Sequence, residues 1–297
     1  MRKNTVIVTG ASGSIGKAIT IALVQQGYPV IMACRNIEKA EKTKQEILIK
    51  NKSGLAEVLP LDLSSQKSIR HFGKLITSRK ESIGCLINNA GIMCKDYCRT
   101  AEGIEMTMGV NFIGTALLTE ILIPMMLPGS RILFTSSITR KTGTIDNNML
   151  NPQIEKYRRF KSYGSSKLAI TIYASELSER LAGKINVNVT DPGIVDSNMI
   201  TMHQWFDPLA DILFRPLIKT PGQGAAGAIY AATSNEVSGI SGYLFTGRKY
   251  RPLSKNIRLH PQRSFIREVV QKYSAGLSGI YCRIEMEQEC GYDIAAD

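Results

Sequence analysis

Residues 5–16 read Thr5-Val6-Ile7-Val8-Thr9-Gly10-Ala11-Ser12-Gly13-Ser14-Ile15-Gly16, a β-branched apolar run that passes directly into a glycine-rich turn. A helical pattern follows from Lys17 to Gln26 and closes at Gly27. This spacing predicts strand, tight turn and helix. Glycines let a backbone bend sharply and approach a pyrophosphate, and a helix N-terminus presents unpaired N–H groups and partial positive charge to it. The turn Gly10, Ser12, Gly13, Ser14, Ile15 and Gly16 is therefore a candidate phosphate cradle, with the Ser14 hydroxyl as a further donor. A glycine-rich loop alone is weak evidence, and its place between a buried strand and an amphipathic helix strengthens it.

Outward from this unit, strands and helices alternate, as in a doubly wound α/β domain with a parallel sheet. Val30 to Ala33 predicts the second strand, ending at Cys34-Arg35-Asn36. At this tip, folds of the kind meet the adenosine ribose, and readers of NAD place an acid there. Here stands Arg35, whose guanidinium would bind a 2′-phosphate, which argues for NADP(H). The plainer alternative is that Arg35 begins the solvated basic helix Glu38 to Lys50. Leu55 to Leu61 predicts a third strand, followed by Asp62-Leu63 and the helix Gln66 to Arg79 capped at Ser64 or Ser65. Asp62 is a candidate for the adenine amino group. Cys85 to Ile87 predicts a fourth strand that runs into Asn88-Asn89-Ala90-Gly91, small and amide residues that suit close passage past a ligand.

Tyr163-Gly164-Ser165-Ser166-Lys167 places a phenol and an ammonium one helical turn apart on one face. A neighbouring cation favours phenolate, which would draw a tyrosine toward proton transfer at neutral pH. Taken alone, the pair reads more readily as two surface residues of an amphipathic helix.

The order TGASGSIG, NNAG, Asn111 in the predicted helix Ile104 to Ile123, Ser136-Ser137 after the strand Arg131 to Thr135, Tyr163 with Lys167, and Asp191-Pro192-Gly193 resembles the short-chain dehydrogenase/reductase family from about residue 5 to 245. Strings such as MACRN, NNAGIM and SYGSSKLA resemble its retinol-dehydrogenase-like group. The resemblance implies a single Rossmann domain over 1–247, with a substrate-covering segment near 194–220 and a C-terminal extension at 248–297. It implies Tyr163 as general acid/base, with Lys167 lowering its pKa and binding the nicotinamide ribose. Ser137 would hold the substrate carbonyl and Asn111 would anchor a water relay. Leu63, Asn89, Ala90 and Gly91 would line the adenosine side; Pro192, Gly193 and Ile194 would meet the carboxamide, with Ser197 nearby. Three features depart from the family pattern. The middle glycine, Gly13, comes one place early; an insertion at about 139–161 separates Ser137 from Tyr163; and the tail beyond Phe245 matches nothing familiar.

The chain has 297 residues, 43% of them hydrophobic, enough for a substantial core. Six scattered cysteines and no signal-peptide pattern suggest reduced thiols and a cytoplasmic protein. No run approaches the length that crosses a bilayer, which leaves a soluble protein or a peripheral membrane contact. A net charge of +12 favours anionic partners, yet aromatic interleaving and known modules for nucleic acid are absent. Cys94 and Cys98 lack companion ligands, so no metal is expected. Met199 to Phe214, around Trp205, is rich in large apolar residues. It reads as a lid over a lipophilic alcohol or carbonyl substrate of steroid, retinoid or long-chain type, or else as core or a homo-oligomer interface. The expected reaction is hydride exchange between NADP(H) and such a substrate. A nucleotide-sensing or scaffold protein without catalysis is the alternative, and it would have no need for Asn111, Ser137, Tyr163 and Lys167 together.

Overall fold

The computed structural model describes residues 3–52, 54–79, 81–195 and 218–275. Its strands are β1 Thr5–Thr9, β2 Val30–Cys34, β3 Ala56–Pro60, β4 Ile83–Asn88, β5 Met126–Thr135, β6 Asn186–Thr190, β7 Tyr243–Thr246 and β8 Lys249–Pro252. They form one sheet in the order β3-β2-β1-β4-β5-β6-β7-β8, parallel throughout except for the antiparallel β7–β8 pair. β1, β2 and most of β4 are buried on both faces, which is why their sequences are continuous apolar runs and not alternations. The fold is the doubly wound α/β architecture expected from the sequence.

Helices α1 Ser14–Gln25, α2 Ile37–Lys50 and α3 Gln66–Ser78 follow the first three strands. Next come the turn α4 Met106–Met108, a π-helical segment Gly109–Gly114 and α5 Thr115–Leu122, then α6 Arg159–Arg180, α7 Pro221–Thr233, α8 Lys255–Arg258 and α9 Arg263–Ser274. One core lies on the α1/α7 face of the sheet, with Ile19, Leu23, Ala228 and Phe245 packed against Val8 and Ile87. The other is larger and joins Phe72, Phe112, Leu118, Tyr173 and Leu177 to Ile7 and Phe134.

Two expectations change. The predicted helix Ile104 to Ile123 is one apolar stretch in sequence but three helical geometries in space, because Gly109–Gly114 is wound as a π-helix. At its end the Thr115 hydroxyl, from the first residue of α5, donates back to the Val110 carbonyl at 3.0 Å. The run Met106–Met125 also proves long and apolar enough to cross a membrane by length and composition, but 89% of its 18-residue apolar window is buried inside the fold as a core helix. Residue 247 lies in the turn between β7 and β8, and the chain that follows it, through residue 275, belongs to the same body. α9 sets Ile266, Val269 and Val270 into the larger core.

Candidate active site

The glycine turn leaves β1 at the C-terminal edge of the sheet, the edge where such folds bind ligands. Gly10 has φ +65°, the left-handed region that glycine adopts without strain. A Cβ on Gly16 would stand 2.2 Å from the Gly10 carbonyl oxygen, so only glycine lets α1 start this close to the turn. α2, α3 and α7 are capped by the side chains of Asn36, Ser65 and Thr220. α1 is not: its cap is Gly13, without a side-chain bond and without an acid in the first turn. Its first N–H groups are thus left for an anion, and the residues present fit the pyrophosphate of a dinucleotide.

The NNAG stretch is tied to this turn. Asn89 donates from Nδ2 to the Thr9 carbonyl at 3.0 Å, and the Asn89 and Ala90 backbone N–H groups both donate to the Thr9 hydroxyl at 3.0 Å. Gly91 stands farther along, where a Cβ would lie 3.3 Å from Lys167 Nζ and 3.4 Å from Asn111 Oδ1. It therefore borders Lys167 and Asn111, whereas Ala90 packs on Gly10. Arg35 is exposed at the tip of β2, and Asp62 follows β3 with Oδ1 accepting from the Ser64 N–H and hydroxyl at 2.9 and 2.7 Å. Leu63 turns its side chain into the core.

The four residues expected to carry catalysis meet at the ends of β4 and β5. Asn111, in the π-helical segment, clamps the Ile92 peptide on both sides at 2.8 Å and donates to the Ser166 hydroxyl at 3.0 Å. Ser166 in turn donates to the Tyr163 carbonyl at 2.8 Å. Of the serine pair, Ser136 is buried and bonded to Thr171, while Ser137 is partly exposed, accepts from the Thr139 N–H at 3.3 Å and lies close enough to the Tyr163 phenol to lower its pKa. Lys167 is buried, donates to the Thr135 carbonyl at 2.7 Å and lies 5.7 Å from the Tyr163 ring centroid.

The electrostatics differ from the expectation that Lys167 draws the phenol down. Burial, and to a lesser degree the Asp191 carboxylate, push Tyr163 up to about 12, against the Ser137 side chain, which lowers it. Burial pulls Lys167 down to about 8, against the same carboxylate. Tyr163 thus holds its proton at neutral pH and has that proton to give.

The insertion before Tyr163 builds part of the wall. Gly143 and Gly164 bring two backbones together: a Cβ on Gly143 would stand 2.4 Å from the Gly164 carbonyl oxygen. The Thr144 N–H donates to Ser165 Oγ at 3.0 Å, and the Tyr157 hydroxyl donates to the Cys94 carbonyl at 3.0 Å. A cavity of about 230 Å³, bordered by Thr144, Met149, Tyr157, Lys161, Ser162 and Ser165, opens beside the turn of α6 that bears Tyr163. Sequence reasoning missed Thr9, Arg140, Gly143 and Ser166, because each acts through a neighbour that only the fold supplies. Pro192 follows β6, and its carbonyl accepts from Lys219 Nζ at 3.2 Å. Gly193 has φ +76°, and Ile194 is half exposed. Ser197, Trp205 and the stretch Met199 to Phe214 lie outside the described residues. Among the described residues, no three His, Cys, Asp or Glu side chains cluster as metal ligands would.

A family model described as short chain dehydrogenase matches residues 4–205. Retinol dehydrogenase 13 of Homo sapiens is 36% identical over 255 residues, covering 83% of this chain and 77% of that protein. Retinol dehydrogenase 11 of Homo sapiens is 38% identical over 245 residues, 81% of this chain and 76% of that protein. A crystal structure from Mycobacterium paratuberculosis has a TM-score of 0.72 at 26% identity, covering 92% of this chain and 93% of its own. The Pseudomonas aeruginosa RhlG/NADP active-site complex has a TM-score of 0.66 at 24% identity, over 82% of this chain and 94% of its own, and speaks for the fold alone. By the matched family model and these relatives, the chain belongs to the short-chain dehydrogenase/reductase family, in its retinol-dehydrogenase-like group, and is an oxidoreductase of that class.

Proposed function

We propose that this protein is an NADP(H)-dependent reductase of lipophilic carbonyl compounds, of retinoid, steroid or long-chain type, with Tyr163 as the proton donor. The observation that carries the reading is the meeting of Ser137, Tyr163 and Lys167 beside Gly91 and Asn111, at the strand ends that also bear the uncapped helix α1. Bound NADPH would supply the hydride. The chain does the rest. Ser137 and Tyr163 present hydroxyls to one carbonyl oxygen, and Tyr163 donates its proton as negative charge develops there. Lys167, fixed by the Thr135 carbonyl, keeps positive charge beside that oxygen and within reach of a cofactor ribose. Because burial keeps the phenol protonated, the site suits reduction over oxidation at neutral pH.

Exposed Arg35 at the tip of β2, with no acid beside it in sequence, supports the 2′-phosphorylated cofactor. The names of the relatives support a retinoid-like substrate. The basic, cysteine-bearing chain supports a cytoplasmic body that touches anionic membrane surfaces, from which such a substrate would come. The decisive experiment follows NADPH absorbance with retinaldehyde, steroid ketones and long-chain aldehydes. NADPH bound without turnover of any carbonyl would favour a nucleotide-sensing protein. Tight binding of NADH in place of NADPH would refute the cofactor.

A further inference from the structure

Arg140 and Asp191 form an ion pair that the roles above leave unused. Arg140 Nη1 stands 2.8 Å from Asp191 Oδ2, and both side chains are only 9% exposed. Arg140 belongs to the 3-10 turn Ile138–Thr142, directly after Ser137, and the same Nη1 donates to the Ser137 carbonyl at 2.7 Å. Asp191 follows β6. Its N–H donates to the Phe245 carbonyl at 2.8 Å, and its Oδ1 accepts from the Gly193 N–H at 3.0 Å. One guanidinium therefore spans the ends of β5 and β6, which are neighbours in the sheet, and holds the Ser137 loop against the Asp191-Pro192-Gly193 turn.

A brace alone does not call for charge. Taking two ions out of water is costly, and well-packed apolar side chains of similar volume generally hold a turn as firmly. What apolar packing cannot supply is a fixed charge beside two proton-carrying groups. Asp191 directly follows Thr190, which pairs in the sheet with Thr135, whose carbonyl holds Lys167 Nζ, and it shares the Arg140 Nη1 with the Ser137 carbonyl. From there the carboxylate favours the protonated form of both Tyr163 and Lys167. Among the described residues, the charged and titratable groups around it are Arg140 and exposed Lys141 on the 3-10 turn, Tyr163 and Lys167 on α6, and Lys219, whose Nζ donates to the Pro192 carbonyl.

We propose that Arg140 and Asp191 are positioning residues for the reaction: Arg140 locks the Ser137 and Gly193 backbones in register across the site and fixes the Asp191 carboxylate at the strand ends that bear Tyr163 and Lys167. This rests on the carbonyl-reductase reading of the same site.

Two variants separate the roles. Asp191→Asn keeps an oxygen for the Gly193 N–H but removes the charge. Arg140→Lys keeps the charge but replaces the guanidinium fork. Each is compared with wild type for thermal midpoint, NADPH fluorescence titration and kcat/KM from neutral to alkaline pH. Ultraviolet difference titration of tyrosinate, read against Tyr163→Phe, needs no substrate. For Asp191→Asn, the alkaline limb and the onset of tyrosinate should both fall by about half a pH unit or more. For Arg140→Lys, the limb should stay in place while kcat drops about 10-fold or more, with NADPH affinity retained. A folded Asp191→Asn protein whose limb and tyrosinate onset match wild type overturns the charge role. Unchanged kcat in Arg140→Lys overturns the locking role. If either single variant does not fold, Arg140→Met/Asp191→Asn, which orphans neither charge, stands in for it. It should show the same downward shift and a kcat loss of the same size, and it overturns whichever role's effect is missing. A wild type that binds NADPH and reduces no carbonyl refutes the reading of the reaction instead. The tyrosinate titration then still decides the charge role, and the tyrosinate onset common to Arg140→Lys and wild type, or its loss, decides whether Arg140 holds Asp191 in place.

Discussion

At the scale of single residues, the site combines a phenol that burial keeps protonated with an ammonium that burial makes easy to discharge. Tyr163→Phe preserves the ring and the packing but removes the donated proton. Turnover should fall by about 10²–10⁴-fold with NADPH titration unchanged, and a near wild-type rate would remove Tyr163 from the mechanism. Lys167 is charged below about 8 and neutral above it. Reductase activity should therefore decline as pH rises through that value. The fold should not loosen with it: the folded value lies below the ordinary 10.5, so the unfolded chain binds more protons between the two. The contribution of Lys167 to stability then rises across that window. Activity lost together with circular dichroism would point to unfolding and away from Lys167. Arg35→Ala should weaken NADP(H) by about 1.5–3 kcal/mol and leave NAD(H) almost unchanged. Equal losses for both cofactors in calorimetric titrations would give Arg35 a role in the fold only.

At the scale of elements, the start of α1 depends on an approach that no side chain tolerates. Gly16→Ala sets a methyl 2.2 Å from the Gly10 carbonyl oxygen and 2.9 Å from Asn89 Nδ2, so either the turn or the helix must move. Overpacking of this kind costs about 1–3 kcal/mol, and here it also deforms the candidate phosphate cradle. The expected outcome is a lower thermal midpoint with NADPH affinity reduced further than stability alone accounts for. A variant with wild-type NADPH titration would show that the cradle does not bind the cofactor. The π-helical segment makes the complementary point. It turns Asn111 toward Ile92 and Ser166, an orientation the regular apolar periodicity of the stretch does not announce.

At the scale of the whole molecule, the sheet edge gathers groups from β1, β4, β5 and β6, and the insertion wall stands over them. A substrate at that edge would need a cover. If Met199 to Phe214 provides that cover, kcat/KM should rise from short ketones to steroid-sized ones, and Trp205→Ala should flatten the rise. A flat trend in wild type would mean that these apolar residues serve as core or as an interface between copies of the chain, and that the substrate is small.

The architecture was legible in the sequence wherever one local signal decided one local conformation. Thr5 to Gly16 announces strand, turn and helix because burial on two faces demands an unbroken apolar run and because the turn demands glycine. The four candidate catalytic residues were legible as an ordered series of short motifs whose joint occurrence is specific. Their mutual geometry was not. Asn111 on Ser166, Gly143 against Gly164, and Arg140 on Asp191 pair residues from 21 to 55 positions apart. No periodicity relates such partners, since only packing of α6 and the 3-10 turn against the strand ends brings them within hydrogen-bond distance. The proton affinities follow the same rule. Spacing alone put Lys167 beside Tyr163 and implied a lowered phenol, whereas burial and a carboxylate from the end of β6 decide the direction, because the field at a buried group is set by everything that surrounds it and not by its neighbours in sequence.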